Sequence, residues 1–375
     1  MLLTEEQMLI QTTARQFSQD VLKKHAAQWA KASQFPIQAI QAMGPLGFLG
    51  MLIPESWGGS NIGYLNASLV LEEIAAGDGS CSTIVSVHNS VASLPILHFG
   101  SDFQKNTFLK PMAQGKQLGA FCLTEPQAGS DAASLSSTAV LEGEYYRLNG
   151  NKQFVTSGKH ANLAIVFAKT QPALGKKGIT AFTVPTDLPG YEVTRLEKKM
   201  GQTAAETAQI FLNDLKIPIN CRLGEEGEGY KIALSHLEAG RIGIAAQCIG
   251  MARTALEIAT QYAKERMTFG KPIIQHQAIA FLLADMATRL EAARQLTWHA
   301  AVLKEANKPC QKEAAMAKLF ASEVGEWVCR EAIQVLGGYG YLEDFELERI
   351  YRDIRVATLY EGTSEIQKIL ISREL

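Results

Sequence analysis

In Ala139-Val140-Leu141-Glu142-Gly143-Glu144-Tyr145-Tyr146-Arg147-Leu148, two runs of strand-forming residues flank a Glu-Gly-Glu turn, the composition of a β-hairpin. Ala164-Ile165-Val166-Phe167, Thr180-Ala181-Phe182-Thr183-Val184 and Gln209-Ile210-Phe211-Leu212 repeat that character, with Gly, Asn, Asp and Pro punctuating them. No long helical pattern separates these runs, which argues against a parallel Rossmann sheet. An antiparallel β domain over 118–225 is the expectation.

On either side the pattern is helical. Glu5 to Lys24 and Leu65 to Ala76 repeat apolar residues at helical spacing around the turn-rich Pro54-Glu55-Ser56-Trp57-Gly58-Gly59. Ser80 to Phe99 is weakly charged and ends at Gly100, which predicts a buried helix. After Glu225, apolar residues recur from Ile232 through Tyr262. Lys271-Pro272, Asn307-Lys308-Pro309 and Gly337-Gly338 then cut the remainder into lengths suited to a bundle. The predicted fold class is α+β: an N-terminal helical domain (1–117), a middle antiparallel β domain (118–225) and a C-terminal four-helix bundle (226–375).

A chain of 375 residues suggests two or three compact units in close contact. Lys+Arg 36 against Asp+Glu 38 leaves a formal charge of -2, with no electrostatic reason to expect nucleic acid or an anionic membrane. Charges break the apolar runs short of membrane-spanning length. The six cysteines lie far apart without a Cys-x-x-Cys pair and read as buried free thiols. The histidines show no paired metal spacing, so no metal site is expected. The acidic start, Met1-Leu2-Leu3-Thr4-Glu5-Glu6, is unlike a signal or transit peptide, and a cytoplasmic enzyme is the expectation.

Four segments carry candidate chemistry. In Leu359-Tyr360-Glu361-Gly362-Thr363-Ser364-Glu365-Ile366-Gln367, Thr363 or Ser364 caps the last helical segment. Glu361 then lies on the loop side of the cap, free to point into a cavity as a general base. A solvated loop glutamate has the same local sequence. Cys122 to Asp131 is a strand entering a polar turn whose donors suit a heteroaromatic edge or a phosphate, or an ordinary polar loop. Lys152-Gln153-Phe154-Val155-Thr156-Ser157-Gly158 sets an aromatic and a hydroxyl two apart on one strand face, for stacking and edge contact or for plain packing. Gln334-Val335-Leu336-Gly337-Gly338-Tyr339-Gly340-Tyr341 precedes Asp344, Arg349 and Asp353. Its glycines end a helix, which excludes a Gly-x-Gly-x-x-Gly nucleotide fingerprint.

In their order and motifs, Thr-Glu-x-x-x-Gly-Ser-Asp from Thr124 and Gln-x-x-Gly-Gly-x-Gly-Tyr from Gln334, these segments resemble the acyl-CoA dehydrogenase family across essentially the whole chain. The resemblance implies bound FAD and oxidation of an acyl-CoA thioester to the trans-2-enoyl-CoA. Glu361 matches the base that removes the α proton, while a hydride passes from the β carbon to flavin N5. The family polarises the thioester carbonyl with the base's own backbone N–H and a flavin ribityl hydroxyl.

Matched position by position, Leu123, Thr124, Ser130, Phe154 and Thr156 resemble flavin contacts of the same subunit. Arg266, Phe269, His276, Gln277, Gln334, Gly337 and Gly338 resemble contacts to a neighbour's FAD, and Thr363 and Glu365 match positions near the adenosine half of FAD. Ser130, Glu238, Arg241 and Gly362 match substrate contacts. Three positions discriminate within the family. Glu238 stands where relatives often carry Asp, Phe154 where many carry Trp, and Gly240 where some place the catalytic glutamate.

Ser86-Val87-His88-Asn89-Ser90 and Arg241-Ile242-Gly243-Ile244-Ala245 look most like short-chain and butyryl members, with Leu94 and Pro95 as candidates for the floor of the acyl slot. The resemblance further implies a homotetramer built as a dimer of dimers, an electron-transfer flavoprotein as acceptor and a place in fatty acid β-oxidation. A branched short-chain dehydrogenase of amino-acid catabolism and a catalytically dead scaffold of the same fold are the alternatives.

Overall fold

Thr4 Oγ1 accepts the Gln7 N–H at 3.2 Å and the Gln7 side chain accepts the Thr4 N–H at 2.9 Å, a capping box that starts the first helix. The structure, a computed structural model, describes residues 2–375. Its α-helices of eight or more residues are α1 (Glu5–Phe17), α2 (Lys23–Ala32), α3 (Gly63–Gly77), α4 (Gly79–Val87), α5 (Gly229–Glu265), α6 (Gln277–Glu305), α7 (Gln311–Leu336), α8 (Leu347–Ile354) and α9 (Ser364–Ser372). The buried helix expected over Ser80–Phe99 is present. Asp78 caps α4 through the Cys81 N–H at 2.7 Å, and a π-helical stretch, His88–Ser93, carries the helix on to Phe99.

The middle of the chain forms β1 (Gly119–Cys122), β2 (Thr138–Glu142), β3 (Tyr145–Thr156), β4 (Leu163–Lys169), β5 (Ile179–Pro185), β6 (Tyr191–Leu196), β7 (Thr207–Pro218) and β8 (Arg222–Leu223). The hairpin read from Ala139 to Leu148 is β2–β3, in register from Thr138↔Asn149 to Glu142↔Tyr145, with Gly143 at φ 64° in the turn. The sheet order is β6-β7-β3-β2-β4-β5-β8, with β1 beside β4. The sheet is mixed, which corrects the antiparallel expectation. β1 runs parallel to β4 from Gly119↔Leu163 to Cys122↔Val166, and β2 meets β4 in parallel at Thr138↔Lys169. The β2–β3 hairpin between β1 and β4 supplies the long crossover that parallel pairing needs. Tyr146 and Phe182 meet edge-on at 5.0 Å inside the sheet.

After a short β9–β10 ladder (Met267–Thr268 with Lys271–Pro272), α6 and α7 return along α5, and α8 and α9 close against α7. α3 also packs along α5, so the N-terminal and C-terminal helices share one core. The approach is close: a Cβ on Gly250 would stand 2.1 Å from the Glu72 carbonyl. The buried carboxylates of α3 tie it to three helices: Glu73 receives Arg253 of α5 at 2.6 Å and Arg15 of α1 at 2.8 Å, and Glu72 receives Arg294 of α6 at 3.1 Å. By length and composition α5 is apolar enough to cross a bilayer, yet 78% of its most apolar window is buried inside the protein. All six cysteines are buried and free.

Candidate active site

Between the turn Arg355–Thr358 and α9, Glu361 (φ 53°) and Gly362 (φ 90°) are consecutive left-handed residues. Thr363 then caps α9, its Oγ1 accepting the Ile366 N–H at 3.4 Å. The turn carries the Glu361 side chain away from α9 and onto α5. A Cβ on Gly240 would stand 2.7 Å from Glu361 Oε2, so the glycine leaves the space that the carboxylate fills. Oε2 is buried and has no hydrogen-bond partner among the described residues. Burial pushes the Glu361 carboxyl up to about 7, against the opposing charges of Arg241 and Lys318. Arg241 is itself buried, and its Nε has no partner among the described residues.

Tyr360, the residue before Glu361, is tied to two helices. Tyr360 Oη donates to Gln247 Oε1 at 2.6 Å, and Gln247 Nε2 donates to Thr83 Oγ1 at 2.6 Å. Gly362 lies in the same cluster. Glu238, one turn before Arg241, is held by Lys304 Nζ at 2.7 Å and is therefore an ion-pair partner of α6.

The second cluster joins two distant segments. Gln153 N–H donates to the Thr124 carbonyl at 2.8 Å, which sets Leu123 and Thr124 beside β3. Leu123 is buried, Thr124 and Thr156 are half-buried, and Ser130 is exposed on the following loop. The simple alternation expected for Phe154 and Thr156 is interrupted by a bulge between Lys152 and Val155. Phe154 takes φ 58° there, and 63% of it is exposed.

Beneath the bulge lies a buried ion pair that the sequence reading missed. Lys152 Nζ donates to Glu125 Oε1 at 2.7 Å and to the Phe167 carbonyl at 2.6 Å. Glu125 also accepts the Ser136 N–H at 2.6 Å and the Ser137 N–H at 3.0 Å. Burial raises the Glu125 carboxyl, but Lys152 and these donors outweigh it and hold it at about 2. The signal was a carboxylate, Glu125, three residues past the apolar strand end at Cys122 and matched by a cation, Lys152, within β3.

The third cluster is an open cleft of about 430 Å³ lined by Arg266, Gly337 and Gly338 together with Tyr262 and Thr268. The Arg266 guanidinium has no acceptor among the described residues. A Cβ on Gly337 or Gly338 would meet nothing within 4 Å. Around the cleft, Phe269 is 96% exposed and His276 Nε2 lies 3.1 Å from Thr268 Oγ1. Gln277 begins α6 and Gln334 ends α7, both exposed, as is Glu365 in the first turn of α9. No residue of the first two clusters lines this cleft. One chain alone keeps it apart from them.

The chain matches the acyl-CoA dehydrogenase N-terminal domain over 4–116, the middle domain over 120–215 and the C-terminal domain over 227–375. The chain belongs to the acyl-CoA dehydrogenase family. Among curated relatives, the mitochondrial short-chain specific acyl-CoA dehydrogenase of Homo sapiens is 47% identical, over 98% of this chain and 89% of its own. Acryloyl-CoA reductase (NADH) of Anaerotignum propionicum is 42% identical, over 100% of this chain and 95% of its own. The structure of butyryl-CoA dehydrogenase from Megasphaera elsdenii superposes with a TM-score of 0.98 at 39% identity, covering 100% of this chain and 99% of that one.

This acyl-CoA dehydrogenase family chain is a flavin-dependent oxidoreductase, and its cofactor is FAD. The residues present fit that group. An exposed aromatic ring on a bulge lies beside the hydroxyls of Thr124 and Thr156, a surface for a planar ring and its polar edge. The cleft offers an unpaired guanidinium and two open glycines to an anion. Among the described residues no cluster of His, Cys, Asp or Glu is arranged for a metal.

A cavity of about 20 Å³ lies one turn along α5 from Gly240, lined by Leu71, Ser86, Asn89, Ser90, Ile242 and Gly243 among others. Leu94 and Pro95 do not line it. Leu94 is buried in the core between the N-terminal helices and the sheet. Of the helical stretch over 80–99, Ser86, Asn89 and Ser90, three and four positions apart on one face, border this space. Lys318, beside Glu361, was also missed. Its signal was a lone cation on the alanine-rich stripe of Ala314, Ala317 and Ala321.

Proposed function

We propose that the chain dehydrogenates a short-chain acyl-CoA to the trans-2-enoyl-CoA, with Glu361 as the base that takes the α proton. The observation that carries this reading is the buried, unpartnered Glu361 Oε2 lying against Gly240. A carboxylate in that setting binds a proton far more readily than one in water, which the weakly acidic α carbon requires. The Glu361 N–H makes no backbone hydrogen bond among the described residues and is the donor proposed for the thioester carbonyl. Bound FAD, held by Leu123, Thr124, Phe154 and Thr156, supplies the acceptor for the β hydride. Ser130, Arg241 and Gly362 border the substrate, and Glu238 shapes the wall through its pair with Lys304.

The small cavity supports the short-chain reading. Its 20 Å³ is little more than one water needs, and Ser86 and Ser90 set hydroxyls at its end. Each added methylene contributes only about 0.8 kcal/mol on burial, so a steric floor does the discriminating. The proposal extends to a homotetramer, a dimer of dimers in which Arg266 and the Gln334–Gly338 segment complete a neighbour's FAD site. Electron-transfer flavoprotein is the proposed oxidant, in a cytoplasmic setting and in fatty acid β-oxidation.

Anaerobic titration of the FAD-loaded protein across a chain-length series tests the reading. Butyryl-CoA is expected to bleach the flavin absorbance, and catalytic efficiency is expected to fall toward octanoyl-CoA. A steady climb to octanoyl-CoA sinks the short-chain assignment. The relative named acryloyl-CoA reductase motivates the reverse direction as a second reading. Reduction of an enoyl-CoA by NADH that outpaces flavoprotein-linked oxidation would select it.

A further inference from the structure

Lys318 sits on α7 with its side chain wholly buried, and its Nζ donates to the Gly362 carbonyl at 2.8 Å. That carbonyl also accepts Gln367 Nε2 at 2.8 Å, and the same amide reaches the Glu361 carbonyl at 3.2 Å. The peptide that follows Gly362 is thus gripped from α7 and from α9, and the one linking the two left-handed residues is held from α9. Glu361 is a non-glycine residue at positive φ, a conformation that persists only where the surroundings over-determine it. Its carboxylate and its N–H both belong to this turn, so the grip on Gly362 sets where each points.

The ammonium makes no ion pair among the described residues, although a buried cation is costly without one. The charged and titratable groups facing it are Arg241 and Cys248 from α5, and Glu361 and Glu365 from the C-terminal segment. Burial raises the Cys248 thiol to about 12, leaving it neutral, and Glu365 is exposed to solvent. Glu361 is therefore the one desolvated anion opposite Lys318.

We propose that Lys318 is a positioning residue for the reaction: its ammonium clamps the Gly362 carbonyl to aim Glu361, and its charge keeps that carboxylate ionised once substrate excludes water. The inference rests on Glu361 being the base. Burial draws the Lys318 ammonium down to about 8, against the opposing pull of Glu361, so the charge is lost above that pH while the neutral amine still donates to Gly362. Aim and charge are separable by experiment.

The test compares wild type, Lys318→Gln, Lys318→Met and Glu361→Gln, each loaded with FAD, by kcat and KM for butyryl-CoA across pH and by flavin absorbance and melting temperature. Lys318→Gln keeps a donor and removes the charge. It is expected to lower kcat about tenfold, to change KM by less than about threefold and to move the acid limb of kcat/KM upward by about one pH unit. Lys318→Met, which loses the donor too, is expected to lose kcat further. An acid limb unmoved in a folded, flavin-bearing Lys318→Gln protein overturns the proposal. If neither Lys318 variant folds, Lys318→Arg, which keeps the charge and a donor, decides by its pH profile: the acid limb of kcat/KM is expected to stay where the wild type has it, and a limb moved upward by about one pH unit overturns the proposal. Activity surviving in Glu361→Gln would instead bring down the base assignment itself.

Discussion

Gly240 and Glu361 define one another. A Cβ at Gly240 would lie 2.7 Å from Glu361 Oε2 and 3.0 Å from Cδ, and those atoms are the far end of a side chain able to swing away. Gly240→Ala is therefore expected to fold and hold FAD while losing activity, because the displaced carboxylate no longer reaches the α proton. Comparing melting temperature with kcat checks this, and parallel losses in both would refute it. Glu361→Gln preserves shape without a proton acceptor, and turnover is expected to fall by about 10²–10⁴-fold or more with acyl-CoA binding retained. The wild-type acid limb follows from the raised carboxyl. As the proposed base Glu361 must be ionised, so kcat/KM is expected to rise with pH through about 7 and to fall tenfold per unit below it. Activity undiminished well below that pH would contradict the raised value.

Loops here are held by partners drawn from other elements. The exit from β1 and the bulge in β3 are locked together by Glu125 and Lys152, both nearly inaccessible to solvent. Lys152→Met leaves the Glu125 carboxylate buried without its cation, a change that costs about 3–5 kcal/mol in comparable settings. Denaturant unfolding should show a loss of that order, with weakened FAD retention because Thr124 and Phe154 border the pair; an unchanged midpoint would show the pair to be dispensable. The end of α5, the β9–β10 ladder and the end of α7 form the Arg266 cleft, which no residue of the Thr124 and Phe154 segments lines. Arg266→Ala is expected to weaken FAD retention and assembly together, as linkage demands when a neighbour completes the site. Tight FAD binding by a native monomer would refute that arrangement.

Across the molecule, buried groups of opposite sign set the response to acid. His88 and His236 are drawn down to about 4 by burial, so the unfolded chain takes up protons below about 6.5 that the folded chain refuses, and stability is lost as pH falls. Asp353 and Glu361, raised to about 7 by burial, bind protons in the folded state first and offset that loss. Glu125, held at about 2 against an ordinary 4.5, contributes stability that disappears below its ordinary value. Unfolding midpoints are expected to change little from about pH 7 to 4.5 and to drop below that, by an amount on the order of 3 kcal/mol for Glu125. A steep fall already near pH 6 would mean the histidines dominate. The division between sequence and tertiary structure follows the range of the forces. The β2–β3 hairpin, the buried helix over 80–99 and the Thr363 cap were legible because propensity, periodicity and capping act between residues a few positions apart. The Thr124 and Gln334 motifs carried the family for the same reason, as short strings of fixed residue types. The parallel β1–β4 pairing, the bulge at Phe154, the Lys304 partner of Glu238, the lining of the small cavity beside α5 and the seat of Lys318 behind Gly362 were not legible. Each joins residues far apart in the chain, and which of them meet is decided by packing, where excluded volume and the cost of an unpaired buried charge select one arrangement.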